Sequence, residues 1–187
     1  MSDITKRALS SSLKALLLEK PIDKISVSDI TNKCGVKRQT FYYHFQDIAD
    51  LVEWICLDDA EKALSGKTTY SSWQEGFLEV FNLIKKDKAF VLNIYHSVSR
   101  DKLELYLYSL VYNVIKQVVD EASSSYSVSD EDKDFIINFF KYSFCGIVFN
   151  WIDKGMIKDP KIIVDQTSSL CSGLIVRALD NLGVKHI

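Results

Sequence analysis

The fold of this 187-residue chain is decided by the stretch Ile25–Phe45, which reads ISVSDITNKCGVKRQTFYYHF. Ser26 has the position of a helix N-cap, and Asp29 follows it at the spacing that closes a capping box. A helix should therefore begin at Val27. It should end at Gly35, because glycine adopts the left-handed conformation after a helix at little steric cost.

A second short helix should follow this glycine and start near Lys37. At about 100° per residue, Phe41 and Phe45 project from the same side of it, while Gln39 and Tyr43 lie on the opposite side. Two short helices joined by a glycine turn are typical of the helix-turn-helix, whose second helix enters the major groove of DNA. The pattern thus predicts one anchored face and one face available to a partner.

The outward face of the second helix carries side chains that suit a DNA groove. Arg38 can form two hydrogen bonds with guanine, Gln39 can pair with adenine, and Thr40 can contact a base or a phosphate oxygen. Hydroxyl and ring donors suited to phosphate oxygens follow at Tyr42, Tyr43 and His44. The residue types alone leave one alternative open, an ordinary amphipathic helical hairpin with a polar and aromatic face.

The string GVKRQTFYYHF resembles the recognition-helix signature of the TetR family of bacterial transcriptional regulators, and its distance from the chain start also fits. The resemblance is good over the helix-turn-helix region and weak beyond it. It implies base contacts from Arg38, Gln39 and Tyr42, together with Ser28 of the preceding helix. It implies phosphate contacts from Thr40, Tyr43 and His44.

Two positions depart from the pattern of that family. Lys37 stands where members usually have a small N-capping Ser or Thr, and Ile48 stands where a lysine is common. Because the ammonium group of Lys37 can replace the missing cation, we include Lys37 among the DNA-binding candidates. The departure at Ile48 and the acidic total leave open a helical dimeric metabolite- or protein-binding module without DNA-binding activity.

Composition favours an all-α protein with an N-terminal three-helix helix-turn-helix head and a larger helical ligand-binding and dimerisation body. Apolar residues make up 47% of the chain, which is enough to bury a core. Residues 1–50 hold eight basic against six acidic side chains, whereas residues 51–187 hold 15 against 19. We expect a DNA-binding domain over residues 1–47 and a regulatory and dimerisation domain over residues 48–187. Affinity for DNA should depend on a dimer rather than on bulk charge.

The apolar periodicity predicts helices that are separated by polar breaks. Their predicted ranges are 3–19, 27–34, 37–44, 47–64, 70–86, 88–96, 100–122, 129–154 and 160–183.

The segment FIINFFKYSFCGIVFNWI, residues Phe135–Ile152, is apolar almost all the way round, so it should be either buried or membrane-spanning. Asn138, Lys141 and Asn150 make membrane insertion costly, and we expect burial and no membrane contact. The family resemblance implies a homodimer through the helices near residues 129–154 and 160–183. Completion of the monomer core by both helices is the alternative.

Aromatic side chains are frequent between the head and these helices. Members of the TetR family often hold a small ligand among such helices, and an effector pocket is one interpretation of these residues. Ordinary core packing is the other interpretation. The candidates are Trp54, Phe77, Phe81, Tyr95, Tyr106, Tyr112, Phe144 and Phe149.

The combination of ISVSDI, RQTFYYHFQD and LVEWI is similar to the branch of the family that includes activators of dihydroxyacetone-kinase operons. That branch implies a kinase-like co-regulator protein as the partner of the body. The more common arrangement in the family is a repressor that is released by a small-molecule effector. The sequence is compatible with both.

The chain contains no enzyme signature of the GxGxxG, Walker, HExxH or GxSxG type. We therefore expect no catalytic site, no cofactor and no metal. The four cysteines Cys34, Cys56, Cys145 and Cys171 form no C-x-x-C pair, and no basic-then-apolar signal segment opens the chain. A cytoplasmic bacterial protein with reduced thiols is expected.

Overall fold

The computed structural model describes residues 2–97 and 100–185, and this part of the chain is almost entirely helical. The all-α prediction is confirmed. Within these described residues, ten α-helices, one 3-10 turn and two short strands follow one another as α1 (Ser2–Leu17), the 3-10 turn (Ile22–Lys24), α2 (Val27–Cys34), α3 (Arg38–His44), α4 (Ile48–Leu64), α5 (Trp73–Lys86), α6 (Lys88–Tyr95), α7 (Arg100–Ala122), β1 (Tyr126–Ser127), α8 (Asp130–Asp153), α9 (Pro160–Cys171), α10 (Leu174–Leu182) and β2 (Val184–Lys185).

The chain divides into two compact units. The first, called the head unit here, comprises Met1–Glu61 and Lys86–Tyr106, and the second, the body unit, comprises Lys62–Lys85 and Leu107–Ile187. The head unit therefore includes most of α4 and all of α6 besides the helix-turn-helix. The functional boundary expected at residue 47 stays a prediction.

Local signals form the helix-turn-helix as the sequence predicts. The backbone N–H of Asp29 donates to Ser26 Oγ at 3.2 Å, and the backbone N–H of Ser26 donates to Asp29 Oδ2 at 2.7 Å, which completes the capping box. Gly35 ends α2 in the left-handed conformation with φ of 73°. Helix α3 begins at Arg38, one residue later than predicted, and Lys37 is its N-cap without a side-chain hydrogen bond.

The core of the head unit explains why five helices are needed to hold the motif. Its buried side chains come from α1, the 3-10 turn, α2, α3, α4 and α6, and they exclude water from the inner side of the helix-turn-helix. They are Leu9, Leu13, Leu16, Leu17, Ile22, Ile25, Ile30, Phe41, Phe45, Leu51, Val52, Ile55, Phe90 and Ile94.

Polar contacts attach α4 and α6 to α1. The ammonium group of Lys14 lies 2.8 Å from Asp59 Oδ2 and 2.5 Å from Asp87 Oδ2. Burial alone would lower the pKa of Lys14, but the hydrogen bonds and charges of the two carboxylates outweigh it and raise the pKa. Asn93 donates to the carbonyl oxygen of Leu17 at 3.0 Å and thereby satisfies one free carbonyl at the end of α1.

Only strong acid should weaken the capping box, at a pH at which most other carboxylates are already protonated. The backbone N–H of Ser26, its hydroxyl and the nearby Lys20 hold the pKa of Asp29 at about 2, below its ordinary value of 3.8. A lowered pKa contributes stability above the ordinary value, and this contribution is lost as the pH falls toward 2. We expect Asp29→Asn to remove part of the acid dependence of the free energy of unfolding, measured by urea titration between pH 5 and pH 2.

Asp23 offers a control for that measurement, since it is an exposed carboxylate in the 3-10 turn that precedes α2. Asp23→Asn is expected to leave the acid dependence close to that of the unchanged protein. Equal acid dependence in the Asp29→Asn variant and the unchanged protein would contradict the role given to the capping box.

Aromatic side chains dominate the core of the body unit. The ring of Phe77 stacks on Phe144 with centroids 4.6 Å apart, and Phe81 meets Trp151 edge to face at 4.9 Å. The indole N–H of Trp151 donates to the carbonyl oxygen of Lys158 at 2.8 Å, so its polar atom is satisfied. These contacts join α5 to α8 and fix the inner side of α8.

The predicted helix over residues 160–183 is wrong in one respect, because it is two helices. Ser172 and Gly173 separate α9 from α10, and Gly173 has φ of +72°. The apolar pattern runs through this break without interruption, which is why periodicity did not detect it. The strands β1 and β2, which the sequence analysis missed, form a two-residue antiparallel pair that ties the segment after α7 to the segment after α10.

By length and composition alone, the segments Asp130–Asp153 and Pro160–Leu182 could each cross a membrane. Half of the most apolar window of the first is buried inside the protein, and the second is interrupted at Gly173. Helix α8 is nevertheless not buried all round, since Phe135, Phe139 and Tyr142 are exposed on one side of it. Its apolar character therefore has two separate sources, an inner core face and an outer uncovered face.

Candidate nucleic-acid interface

Helix α3 is held by one face and presents the other. Phe41 and Phe45 are almost completely buried, and their rings lie 5.8 Å apart. The opposite face is accessible, as its apolar periodicity predicts. Its exposed side chains are Lys37, Arg38, Gln39, Tyr42 and Tyr43, with Thr40 and His44 half-buried beside them.

Arg38 has a defined position on this face. Its Nη2 donates to the hydroxyl oxygen of Tyr42 at 3.3 Å, and its guanidinium lies 6.0 Å from the centre of the Tyr42 ring. Both contacts restrict a side chain that otherwise loses much rotamer freedom on binding. The guanidinium is thus partly pre-organised at the start of α3, where residues of a recognition helix contact base edges.

The cations around the motif fall into two groups. Lys33 pairs with Glu19 at 2.8 Å, and Lys20 pairs with Asp29 at 3.1 Å, so both are partly neutralised. Neither Lys37 nor Arg38 has a carboxylate partner within residues 2–97 and 100–185. Lys37 and Arg38 therefore place two positive charges that a phosphate backbone could contact at the N-terminus of α3.

The two remaining positions of the predicted interface lie beside α3. Ser28 is half-buried in the first turn of α2, and its carbonyl oxygen accepts a hydrogen bond from Thr31 Oγ1 at 3.3 Å. Ile48 is partly buried and packs against the core of the head unit. Apolar packing therefore takes the place of the lysine that is common in the family at this position.

The aromatic residues considered for an effector pocket are not gathered at one site. Trp54, Tyr95 and Tyr106 belong to the head unit. Tyr95 is fully buried there, and the hydroxyl of Tyr106 donates to the carbonyl oxygen of Cys56 at 2.8 Å. Burial is the main cause that raises the pKa of Tyr106, and the hydroxyl stays neutral. These three side chains contribute to core packing of the head unit.

The other five candidates lie in the body unit. Among the eight, Phe144 alone lines a cavity of about 180 Å³ between α5, α7, α8 and the α9–α10 break. Phe77 and Phe144 line a smaller void of about 30 Å³. Phe81 and Phe149 pack against other rings, and the hydroxyl of Tyr112 donates to Asp134 at 2.8 Å.

Most of the residues that line the larger of these two cavities are not among the sequence-predicted candidates. Tyr70, Gln74, Ser168, Cys171 and Ser172 contribute to its wall. These residues come from two segments, 70–74 and 168–172, that are distant in the chain, and no motif links them. Their meeting depends on the break between α9 and α10, which no local signal in the sequence revealed.

Comparisons with known proteins identify both parts of the chain. A model of bacterial regulatory proteins of the tetR family matches residues 11–55. A second model, TetR_C_8, described as a transcriptional regulator C-terminal region, matches residues 71–173. The first match covers the helix-turn-helix, and the second covers more than half of the chain.

Individual relatives agree with these matches. The HTH-type dhaKLM operon transcriptional activator DhaS of Lactococcus lactis subsp. lactis (strain IL1403) is 28% identical over 156 residues, which are 82% of this chain and 82% of that protein.

Two solved structures have the same fold. The dihydroxyacetone kinase operon activator DhaS matches with a TM-score of 0.72 at 24% identity, over 97% of this chain and 99% of that one. NalD, the secondary repressor of the MexAB-OprM multidrug efflux pump in Pseudomonas aeruginosa, matches with a TM-score of 0.63 at 16% identity, over 96% of this chain and 98% of that one. The two family matches agree with the helix-turn-helix geometry and show that this chain belongs to the TetR family of bacterial DNA-binding transcriptional regulators.

Proposed function

We propose that the protein binds a palindromic operator as a homodimer, with the exposed face of α3 in the major groove. The observation that carries this proposal is the accessible face of α3, on which Lys37 and Arg38 are unneutralised and Arg38 is positioned by Tyr42. In this role Arg38 and Gln39 read base edges, together with Tyr42 and Ser28. The side chains that hold phosphate oxygens are Lys37, Thr40, Tyr43 and His44.

The proposed dimer is supported by the uncovered outer side of α8, α9 and α10. Besides the exposed aromatics of α8, Leu170 is 77% exposed and Leu174 is 37% exposed. Exposed large apolar side chains of this kind are typical of an interaction site. A two-fold symmetric pair would cover the surface and present two recognition helices to successive major grooves.

Gly146 supports the same surface independently. It lies within α8 on the uncovered side, and a Cβ atom built at this position meets nothing within 4 Å. Glycine inside a helix costs about 0.5–1 kcal/mol relative to alanine, and packing within the chain does not require it here. Close approach of a helix from a second copy gives that glycine a physical reason.

A named relative supports a proposal for the target and the direction of control. One of them is named as a transcriptional activator of the dhaKLM operon, and its similarity extends over 82% of this chain. We propose that the protein likewise activates an operon for a dihydroxyacetone kinase, in the bacterial cytoplasm. An effector that binds the body unit would switch it, either a small molecule or a kinase-like co-regulator protein.

The base-reading role can be tested by single alanine substitutions at Arg38 and Gln39. Each is expected to weaken binding to the preferred duplex by about 1–3 kcal/mol and to relax the preference for bases at one position in each half-site. The preferred duplex can be selected from a random pool with the unchanged protein. Binding is then measured by fluorescence anisotropy at several salt concentrations.

Tyr43→Phe is the matched control, because it removes only a hydroxyl that is assigned to phosphate. It should weaken binding to all duplexes alike and leave the selected sequence unchanged. If no sequence is enriched from the pool, or if Arg38→Ala and Gln39→Ala leave affinity and preference intact, α3 is not the reading element.

A further inference from the structure

The segment that follows the start of α3 is acidic and contains no lysine or arginine. Six carboxylates and no such cation lie between Gln39 and Glu61. The first two carboxylates, those of Asp47 and Asp50, come directly after α3 and accept backbone hydrogen bonds at the start of α4, each at 2.8 Å. Negative charge at this place repels the phosphates of a DNA backbone. Binding of α3 in a groove would therefore benefit from a cation that another element brings to the end of this helix.

Helix α1 brings such a cation to the corner between α3 and α4. The ammonium nitrogen of Lys6 lies 5.8 Å from the ring centroid of Phe45, the residue that follows α3, and 5.6 Å from that of Trp54 in α4. The two rings are themselves 6.0 Å apart. An ammonium group within about 6 Å of an aromatic ring centroid is attracted by the electrons of the ring. Two rings thus define the position of the Lys6 ammonium group.

The charge of Lys6 is not neutralised within the protein. Lys14, Lys20 and Lys33 of the same unit each pair with a carboxylate. In the part of the chain that the structure describes, no carboxylate pairs with Lys6, which is half-buried. Contact with rings leaves the full positive charge in place, and an ammonium group has three N–H donors for an anion. Lys6 is therefore a positioned cation that lacks an anionic partner.

The position of Lys6 is close to the side chains that are proposed to hold phosphates. The ring of Phe45 lies 6.3 Å from that of His44, which in turn lies 5.0 Å from the ring of Tyr43. Phosphates follow one another at about every 3.4 Å of helix axis along each DNA strand. A backbone that contacts Tyr43 and His44 would therefore continue past the corner at which Lys6 lies.

We propose that Lys6 binds a backbone phosphate at the C-terminal end of α3 and thereby holds the recognition helix in its groove. Lys37 and Arg38 supply positive charge at the N-terminal end of α3, so phosphates would be bound at both ends of the helix. Lys6 is a positioning residue in this role, because it contacts no base. The proposal rests on the proposed function, since it requires α3 to lie in a DNA groove.

Lys6→Met tests the proposal, because methionine keeps an unbranched side chain over the two rings and removes the charge. We expect binding of the full-length protein to weaken roughly tenfold at low salt for all duplexes, with the selected sequence unchanged. The plot of log affinity against log salt concentration should become shallower by about two, since each copy in the dimer loses one phosphate contact. Fluorescence anisotropy between about 50 and 300 mM salt measures both quantities.

Three further variants separate charge from packing. Lys6→Arg keeps the charge and should retain the salt dependence of the unchanged protein, whereas Lys6→Gln should repeat the result of Lys6→Met. Lys85→Met is the matched control, because Lys85 is an exposed lysine of α5, outside both proposed interfaces. It should leave affinity and salt dependence unchanged. Circular dichroism and urea titration establish that each variant is folded.

A purely structural role for Lys6 gives a different result. It would lower the unfolding free energy of Lys6→Met and weaken DNA binding by the same factor at every salt concentration, and this outcome would overturn the proposal. A shallower salt dependence of Lys6→Arg or Lys85→Met would do the same. If the unchanged protein selects no duplex, the proposed function fails and the role of Lys6 fails with it. If it selects a duplex and the salt dependence of Lys6→Met is unchanged, only the role of Lys6 is lost.

Discussion

Phe139→Glu is expected to convert the proposed dimer into a monomer and to lower affinity for the operator by about 100-fold. Phe139 is 56% exposed on the uncovered side of α8, so the chain itself should tolerate the change. A symmetric interface would bury the introduced carboxylate twice and without a cationic partner. Two linked recognition helices bind far more tightly than one, because the second contact is intramolecular.

Sedimentation velocity reports the oligomeric state, and anisotropy with the selected duplex reports the affinity. Leu105→Glu is the matched control, since Leu105 is 69% exposed on α7, outside the proposed surface. It should leave both measurements unchanged. A Phe139→Glu protein that remains dimeric, or a monomer that keeps full operator affinity, would refute the interface or its necessity.

Replacing Phe41 by alanine is expected to cost about 3–5 kcal/mol of unfolding free energy. Its ring is completely buried and contacts the rings of Tyr42 and Phe45 at centroid distances of 5.6 and 5.8 Å. Truncation removes the apolar burial and leaves a cavity behind the recognition helix, which cannot collapse freely between α1 and α2. Urea titration followed by circular dichroism gives the free energy, and hydrogen exchange of α1–α3 shows where protection is lost.

Tyr43→Ala is the matched control, because it removes an aromatic side chain from the exposed face of the same helix. Tyr43 is 83% exposed on the opposite face of the same helix, so its truncation should change stability by no more than about 0.5 kcal/mol. If the two substitutions destabilise the protein equally, the assignment of an anchored and an outward face to α3 is mistaken.

The helix-turn-helix could be predicted from sequence because its determinants are local. Ser26, Asp29 and Gly35 act within one turn of the residues that they cap, and their chemistry does not depend on the rest of the chain. The division of α3 into inner and outer faces likewise follows from helical periodicity. The predicted contacts of individual side chains with DNA go beyond the structure and stay predictions.

The body unit was less predictable because its features depend on packing between distant segments. The break at Ser172 and Gly173 interrupts an apolar pattern that is continuous in sequence, and small residues at that point fit close helix packing equally well. Aromatic residues suit a core and a pocket alike, and the sequence could not separate Phe144, which lines the cavity, from Tyr95, which does not.

The composition of the head unit limits how DNA specificity can be inherited. Phe90 and Ile94 of α6 complete the core behind the recognition helix, although more than 40 residues separate them from α3 in the chain. A recombination event that exchanged only residues 1–47 would bring in a motif without the partners against which it packs. We therefore expect operator specificity to change through substitutions on α3 within the existing head unit. A transplanted helix-turn-helix should function only when α6 accompanies it.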